Sequence, residues 1–269
     1  MRVVVKIGGS LMKEGVPGTL IKDVAGLSPK HQLVLVHGGG DVVTDFATRL
    51  GKEQRFVVSP EGIRSRYTDR ETVDIYQMVM TGLLAKRLVL ALGQAGLKGI
   101  SLSGADGSLL LGKRKARLVI VDERGRKVAM DGGFTGKVQK VNTPLLEVLL
   151  SQGYVPVVSP VAASEAGEPL NIDGDRAAAS VAAGLRADAV IFATNVGGLQ
   201  LDGGLVAHLT PAEAASNLPK IGFGMQKKVM AAVEAVEGGV REAIICSGTR
   251  ESPLTKAMAH DSCTVIGPA

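Results

Sequence analysis

Two lysines in glycine-rich surroundings are the residues of this chain best suited to chemistry. Lys6 ends a short apolar run just ahead of Gly8 and Gly9, and Lys228 closes a Gly-Phe-Gly-Met-Gln-Lys-Lys segment near the other end of the sequence. We predict that Lys6 lies where a strand meets a turn and that Lys228 opens a helix. A lysine beside exposed backbone N–H groups can hold a phosphoryl group during transfer, because the transition state is loose and anionic.

A second glycine turn follows another predicted strand, in the run His37-Gly38-Gly39-Gly40 ahead of a helix predicted over 41–50. Backbone N–H groups at such a helix start bind phosphate or carboxylate. The chain has no Gly-Lys-Ser/Thr Walker loop, and this run lacks the third glycine of the dinucleotide-binding pattern. A single glycine turn could equally be an anion-binding site or an ordinary turn beside a solvated lysine. Two such turns in one sheet favour an anion-binding role.

Three further segments offer side chains for a small-molecule site. Arg66 lies just ahead of a predicted helix and is either a bidentate partner for a carboxylate or a surface charge among other arginines. Residues 171–175 precede an alanine-rich helix over 176–185 and supply an amide, a carboxylate and an N-cap at Asp173. Residues 194–199 follow a buried strand, which is the usual position of ligand loops in open α/β sheets.

Composition narrows the class of protein. The 269 residues are 45% hydrophobic and 21% charged, as in a globular protein with a substantial core. We predict no membrane span, since no apolar run reaches roughly 18 residues, and no signal peptide. The two cysteines form no disulfide framework, which favours a reducing cytoplasm. Aromatic residues make up only 3% and the four histidines lack metal-ligand spacing, so neither nucleic-acid binding nor a metal site is predicted.

Short β-rich runs alternate with amphipathic segments, which predicts an α/β fold with a parallel sheet covered by helices. The buried strands are predicted at residues 2–7, 32–37, 98–102, 155–159, 189–193 and 242–246. Two further β-runs, 118–121 and 127–130, flank a turn and predict a projecting hairpin.

Helix starts are predicted from capping motifs. Thr68 and Glu71 would form a capping box, and Thr143, Thr210 and Ser252 each precede a proline as N-caps.

The longest predicted helix covers 68–92. One apolar face is predicted from residues spaced three and four apart, namely Val73, Tyr76, Met80, Leu84, Leu88 and Ala91. Gly82 costs this helix about 1 kcal/mol relative to alanine, so we expect another element to approach there.

These motifs occur in the order found in the amino-acid kinase family, which the chain resembles over essentially its whole length. The ordered set is Lys-Ile-Gly-Gly-Ser, His-Gly-Gly-Gly, Arg-x-Thr-Asp, Asn-x-x-x-Asp, Thr-Asn-Val-x-Gly-Leu and Gly-Met-x-x-Lys. The resemblance is strongest to the acetylglutamate kinase branch and, within it, to the LysW-aminoadipate and LysW-glutamate kinases. It implies a three-layer αβα sandwich with a mainly parallel central sheet, similar to carbamate kinase. It also implies a single domain, 1–269, with an acceptor-binding lobe over about 1–170 and an ATP-binding lobe over about 171–269.

The resemblance implies roles for individual residues. Lys6 and Lys228 would contact the transferring γ-phosphoryl group, Asp175 would orient both lysines, and Gly8 and Gly9 would donate N–H groups to phosphate oxygens. The acceptor would be held by Gly39, Gly40, Arg66 and Asn171. The nucleotide site would be lined by Thr194, Asn195, Val196, Gly197, Leu199, Gly224 and Met225. Many acetylglutamate kinases have Asp in place of Asn195, whereas the carrier-dependent branch also has Asn there.

The implied reaction moves the γ-phosphoryl group of MgATP to the side-chain carboxylate of an amino acid whose α-amino group is blocked, with the metal held mainly by the phosphates. The block would be LysW, a small acidic carrier protein bearing 2-aminoadipate or glutamate in lysine or arginine biosynthesis, and the enzyme would be a homodimer. A basic cluster in and before the predicted hairpin would steer such a carrier. It comprises Lys113, Arg114, Lys115, Arg117, Arg124, Arg126 and Lys127.

Two other functions stay open at this point. An N-acetylglutamate kinase would use the same motifs on a small acceptor, and the basic cluster would then be an ordinary solvated surface. A non-catalytic amino-acid sensor on the same fold is the alternative of another class. Intact Lys6, Asp175 and Lys228 disfavour the sensor, since it has no use for all three.

Overall fold

The structure, a computed structural model, describes residues 1–268 with the exception of the side chain of Phe223. Seventeen strands lie in this part of the chain. In chain order they are β1 (Arg2–Ile7), β2 (Gln32–His37), β3 (Phe56–Val58), β4 (Arg64–Arg66), β5 (Lys98–Gly104), β6 (Leu110–Arg114), β7 (Arg117–Val121), β8 (Lys127–Asp131), β9 (Gly136–Val141), β10 (Tyr154–Ser164), β11 (Pro169–Asn171), β12 (Ala189–Thr194), β13 (Gln200–Leu201), β14 (Gly204–Leu205), β15 (His208–Leu209), β16 (Glu242–Ser247) and β17 (Thr264–Ile266).

Eleven of these strands form one central sheet, in the order β15-β17-β16-β12-β1-β2-β10-β6-β9, with β5 and β11 also paired to β10. The central strands β16, β12, β1, β2 and β10 run parallel. In the register, Lys6 of β1 lies opposite Val36 of β2 and Phe192 of β12. The carboxyl ends of these three strands therefore meet at one edge of the sheet, where ligands bind in open α/β folds.

Both faces of the sheet are buried, as the apolar run in β1 requires. Val3, Val5 and Ile7 pack into a hydrophobic cluster on one face, and Val4 packs into a second cluster on the other. A strand covered on both sides is apolar at successive positions, because neighbouring side chains point to opposite faces.

Helices cover the two faces. In chain order they are α1 (Gly18–Leu27), α2 (Gly40–Arg49), α3 (Arg70–Gln77), α4 (Ala85–Gln94), α5 (Thr143–Ser151), α6 (Gly174–Gly184), α7 (Pro211–Asn217), α8 (Phe223–Glu237) and α9 (Pro253–Met258). Residues of α1 to α4 and of α9 belong to the first cluster, whereas residues of α5 to α8 belong to the second. The predicted three-layer αβα sandwich is confirmed. The boundary between two lobes near residue 170 stays a prediction.

The predicted buried strands are present, and the first two have the predicted bounds. Strands β5, β10, β12 and β16 continue beyond their predicted ends because the ladders with neighbouring strands continue. The predicted hairpin is also present, since β7 pairs with β8 in antiparallel register.

The predicted capping box at Thr68 is wrong. Asp69 is the N-cap of α3, and its carboxylate accepts a hydrogen bond of 2.8 Å from the Thr72 N–H. Thr68 is fully buried and bonds to other segments, while Glu71 forms an ion pair with Lys52. A carboxylate at the N-cap also interacts favourably with the positive end of the helix dipole.

Two other predicted caps differ from expectation. Helix α5 has Asn142 rather than Thr143 at the N-cap position. Ser252 does precede α9 but makes no side-chain cap, because the buried carboxylate of Asp23 takes that role and accepts from the N–H groups of Leu254 and Thr255 at 2.6 and 2.9 Å. The capping box at Thr210 is confirmed.

The long helix Arg70–Gln94 consists of α3, a π-helical segment at Met78–Leu84, and α4. By length and composition alone it is long and apolar enough to cross a membrane, a test that the core helix of a globular protein also meets, so the predicted absence of a span stays a prediction. Of its predicted apolar face, Tyr76, Met80, Leu84 and Leu88 belong to the first cluster and Ala91 packs against it partly exposed. Val73 is buried outside that cluster. The sheet therefore accounts for the apolar face. No part of the described chain approaches Gly82 closely, so the approach predicted there is not present.

Candidate active site

Three charged side chains from distant parts of the sequence meet at the carboxyl edge of the sheet. The Nζ of Lys6 lies 2.7 Å from Oδ1 of Asp175, and the Nζ of Lys228 donates to Oδ2 of the same carboxylate at 3.1 Å. Asp175 is the second residue of α6, whereas Lys228 lies in the second turn of α8, which begins at Phe223. Lys228 therefore does not open its helix as predicted, but all three side chains come together, and each is at most 15% exposed.

Burial and charge act against each other in this trio. Burial alone would raise the pKa of Asp175, but the two ammonium groups outweigh it and hold that pKa below its usual value. Burial, together with the positive charge of Lys6, lowers the pKa of Lys228 despite the attraction of Asp175. The site therefore holds two cations and one anion in a region of low solvent access, where charge stabilisation is stronger than in water.

The two glycine turns lie directly against each other beside this trio. A Cβ on Gly9 would lie 2.9 Å from the nitrogen of Gly39, and one on Gly38 would lie 2.7 Å from the nitrogen of Gly9. Larger residues could not occupy these positions without moving the backbone. The N–H of Gly8, predicted to bind phosphate, instead donates to the carbonyl of Ala193 at 2.9 Å. Within residues 1–268, Gly9, Gly39 and Gly40 keep the N–H groups that are available for an anion.

His37 holds the second glycine turn from within the core. Its Nε2 lies 2.9 Å from the hydroxyl of Ser159, and its Nδ1 lies 3.1 Å from the carbonyl of Gly38. Ser159 also contacts the carbonyl of Met80, in the π-helical segment, at 3.2 Å. Burial lowers the pKa of His37 to about 4, so the imidazole is neutral near pH 7. The neutral ring has a single N–H, which lies on Nδ1 if the Ser159 hydroxyl donates to the ring and on Nε2 if that hydroxyl donates to Met80.

We expect His37→Gln to flatten the dependence of stability on pH. Because the pKa of His37 falls from 6.5 to about 4 on folding, the unfolded chain takes up a proton first as pH decreases. Stability present above pH 6.5 is then lost toward pH 4, by about 2–3 kcal/mol at pH 4.5. Urea denaturation of both proteins at pH 7 and pH 4.5 measures this loss. Parallel losses in the two proteins would rule His37 out as the cause.

The predicted acceptor residues are joined through Thr68. Asn171 donates from Nδ2 to the Thr68 hydroxyl at 2.9 Å, and that hydroxyl lies 3.3 Å from the carbonyl of Arg66. The Arg66 guanidinium reaches the start of α2, where Nη2 donates to the carbonyl of Gly40 at 2.7 Å. Arg66 thus lies beside the second glycine turn, in agreement with a role in acceptor binding rather than as an isolated surface charge.

The predicted nucleotide residues lie at and after the end of β12 and at the start of α8. Thr194 ends β12 beside the first glycine turn, and its Cα would lie 3.6 Å from a Cβ on Gly8. Val196 is exposed, whereas the side chain of Leu199 is buried in the second cluster, where Met225 also packs. Asn195 accepts from the Thr194 hydroxyl at 3.2 Å, while Gly197 and Gly224 complete the set. The backbone of Leu199 is also engaged, since its N–H donates to the Thr264 hydroxyl at 2.8 Å and its carbonyl accepts from the Val206 N–H at 2.9 Å.

Sequence motifs gave no indication of several residues that support the site. Tyr76 of the long helix places its buried hydroxyl 3.4 Å from the carbonyls of both Pro160 and Ile172. Gln54 and Thr44 contact the Arg66 guanidinium. Each of these residues contacts a partner that is distant in the sequence. A motif, which consists of neighbouring residues, therefore cannot reveal the contact.

Comparison with known proteins agrees with this geometry. A model of the amino acid kinase family matches residues 1–247. The chain belongs to the amino acid kinase family. It is accordingly a phosphotransferase, and the resemblance inferred from the motifs is confirmed.

Relatives of known name cover nearly the whole chain. The LysW-aminoadipate/LysW-glutamate kinase of Saccharolobus solfataricus is 44% identical over 257 residues, which span 95% of this chain and 96% of that protein. A protein of Cenarchaeum symbiosum that carries the same name provisionally is 52% identical over 267 residues, spanning 98% and 99% of the two chains.

Solved structures show the same fold. The N-acetylglutamate synthase of Neisseria gonorrhoeae, in complex with coenzyme A and N-acetyl-glutamate, is 26% identical with a TM-score of 0.81. The match covers 100% of this chain and 59% of the synthase chain. The carbamate kinase of Giardia lamblia bound to AMP-PNP has a TM-score of 0.68 at 15% identity, with 98% of each chain covered. The second likeness concerns the fold alone.

Proposed function

We propose that this kinase transfers the γ-phosphoryl group of ATP to the side-chain carboxylate of 2-aminoadipate or glutamate whose α-amino group is linked to the carrier protein LysW. The observation that carries the chemistry is the buried trio of Lys6, Asp175 and Lys228 beside two glycine turns. The names of relatives 41–52% identical to this chain support the acceptor.

In the proposed mechanism one oxygen of the acceptor carboxylate forms a bond to the γ-phosphorus. The bond from that phosphorus to the β–γ bridging oxygen breaks, and ADP leaves with the electron pair. No proton transfer is needed, so the protein contributes position and positive charge. Asp175 holds one ammonium group on each carboxylate oxygen, which fixes Lys6 and Lys228 on the transferring group.

The available N–H groups of the glycine turns and the two lysines fit the anionic oxygens of a triphosphate. Within residues 1–268 no group of three His, Cys, Asp or Glu side chains is placed to hold a metal ion. We therefore assign Mg²⁺ to the phosphates of ATP, where it neutralises charge on the phosphate oxygens.

Arg66 and Asn171 are assigned to the acceptor. The second glycine turn would receive the side-chain carboxylate, while Arg66 binds the α-carboxylate that a blocked amino acid retains. An N-acetylated acceptor would present the same groups, so support for the carrier comes from the names of the relatives and from the surface charge around the hairpin. A silent sensor is disfavoured because the trio is intact and fully paired.

The basic cluster predicted around the hairpin is only partly available to a partner. Arg114 donates to the carbonyl of Gly133 and lies within ion-pair distance of Asp131 and Glu168. Arg126 is paired with Asp122 at 2.8 Å. Five exposed cations remain, here called the basic hairpin surface, and they are Lys113, Lys115, Arg117, Arg124 and Lys127. We assign this surface to the acidic carrier, because complementary charge accelerates encounter.

We also propose that the long helix forms the interface of a homodimer. Met78 and Leu90, on its outer side, are 58% and 68% exposed, and the space above Gly82 is open. Met78→Glu with Leu90→Glu should convert a dimer to a monomer in sedimentation at micromolar concentration, because two charges would be buried at the interface. A wild-type monomer would refute the interface.

The proposed function is tested by offering LysW-aminoadipate, LysW-glutamate and N-acetylglutamate side by side in an assay coupled to ADP release. We expect turnover with one or both carrier-linked acceptors, and a kcat/KM for N-acetylglutamate at least about 100-fold lower, since the carrier contacts are then absent. Preference for N-acetylglutamate would refute the carrier. The two buried free cysteines support a reducing, cytoplasmic location.

A further inference from the structure

Gln54 lies between α2 and β3, and its side chain makes a hydrogen bond to Arg66. Its Oε1 accepts a hydrogen bond from Nη1 of Arg66. Its Nε2 is buried and has no acceptor within residues 1–268. A buried amide donor without a partner costs about 1–3 kcal/mol. A residue kept at that cost, with Arg66 as its hydrogen-bond partner, has a role connected to Arg66.

The Arg66 guanidinium is fixed from three further sides. Nη2 donates to the carbonyl of Gly40 at 2.7 Å and to the hydroxyl of Thr44 at 2.9 Å. The ring of Phe56 lies 5.0 Å from the guanidinium carbon. Both hydrogens of Nη2 and one of Nη1 are therefore engaged, which leaves Nε–H and the second hydrogen of Nη1 for an acceptor molecule. The direction of those two donors depends on Gln54.

Glutamine suits this position because it is neutral. Within the described residues Arg66 forms no ion pair, so its charge is not cancelled. A glutamate at position 54 would have nearly the same shape but would pair with the guanidinium and repel an incoming carboxylate. The site is partly buried, which strengthens both effects relative to water.

We infer that Gln54 is a positioning residue for the phosphoryl acceptor: it orients the Arg66 guanidinium through a neutral hydrogen bond and leaves its charge for the acceptor's α-carboxylate. This inference rests on the proposed function, since it assumes an acceptor with a free α-carboxylate. It gives Gln54 a part in acceptor specificity, without contact to ATP.

Two substitutions separate this role from a packing role. Gln54→Leu removes the acceptor of the Arg66 bond, and we expect the KM for the carrier-linked acceptor to rise about 10-fold, the effect of losing about one hydrogen bond to a charged group. Gln54→Glu keeps the shape, but we expect a larger rise, on the order of 100-fold, because the charge of Arg66 is cancelled. The KM for ATP should change less than about 3-fold in both variants, since neither touches the nucleotide side.

Measurement of the thermal unfolding temperature distinguishes an orienting role of Gln54 from a packing role. Gln54→Glu should melt at the same temperature as the wild type or higher, because it gains an ion pair, while acceptor use falls. Gln152→Glu, at the exposed end of α5, is the control for an added negative charge and should leave both KM values unchanged. The inference fails if Gln54→Glu behaves as wild type, if Gln54→Leu is the more damaging change, or if both KM values rise together.

The wild-type enzyme distinguishes this failure from failure of the proposed function. Turnover and calorimetric binding are measured first with LysW-aminoadipate, LysW-glutamate and N-acetylglutamate. If the wild type uses one of them, that acceptor is the probe for the Gln54 variants, and their result bears on Gln54 alone. If it neither uses nor binds any of the three, the proposed function and the role of Gln54 are both refuted.

Discussion

Lys6→Ala and Lys228→Ala should each lower kcat by a factor on the order of 100 or more, as the loss of one charge-stabilising donor does in other enzymes. Both ammonium groups lie on the carboxylate of Asp175, and the glycine turns beside them supply the available N–H groups. Removal of either lysine also leaves Asp175 with a single partner in a buried position, so the unfolding temperature should be measured with kcat. Steady-state assays at saturating ATP and acceptor give the comparison.

The neighbouring lysine provides a matched control. Lys227 precedes Lys228 on α8, but its Nζ lies 3.7 Å from Asp173, the N-cap of α6, rather than on Asp175. Lys227→Ala should therefore lower kcat less than about 3-fold, because Lys227 does not touch Asp175 and a partly exposed, long ion pair contributes little. Asp175→Asn should lower kcat as strongly as the lysine variants. Near-wild-type turnover in Lys6→Ala or Lys228→Ala would remove that lysine from the chemical step.

Charge reversal at Lys113, Arg117 and Lys127 together should lower kcat/KM for the carrier-linked acceptor about 10- to 100-fold at low salt, since electrostatic steering changes association rates by such factors. The register of β7 and β8 places Arg117 and Lys127 on one face of the hairpin. Arg114 is left unchanged because it bonds the carbonyl of Gly133 and its reversal would disturb the loop. The loss should shrink as salt increases, because screening weakens the wild-type attraction too.

An equal charge change elsewhere is the control for this experiment. Lys22, Lys30 and Arg241 are exposed and lie outside the hairpin, so their reversal to glutamate should affect the carrier reaction only weakly. Residual activity on N-acetylglutamate should survive in both triple variants, since Arg66 and Asn171 are untouched. If the hairpin reversals leave kcat/KM for the carrier-linked acceptor unchanged at low salt, the basic hairpin surface is an ordinary solvated face.

The sequence determined the layers of the fold and the main charged residues of the site. Runs such as Val3-Val4-Val5 are apolar at successive positions, which indicates a strand covered on both faces, and the structure has β1 at the centre of the sheet. Glycines after Lys6 and after His37 could be assigned to turns at strand ends because glycine permits close backbone approach. These signals are local, so they could be read without knowing which segments meet.

The pairing of the trio also followed from the order of motifs, through the family resemblance. Composition and periodicity alone could not have brought Asp175 of α6 to Lys228, 53 residues away, or to Lys6 on β1. The parallel register of β1, β2 and β12 brings their ends to one edge and makes that meeting possible.

Only the tertiary structure decided which hydrogen-bonding groups are available. Gly8 looked equivalent to Gly9, yet its N–H is taken by Ala193 on the neighbouring strand. Ser252 looked like a cap, yet Asp23, more than 200 residues earlier, caps that helix. Gln54 belongs to no motif, but it contacts Arg66. A donor or acceptor is satisfied by whichever group the fold brings within about 3 Å, and sequence spacing does not determine that group.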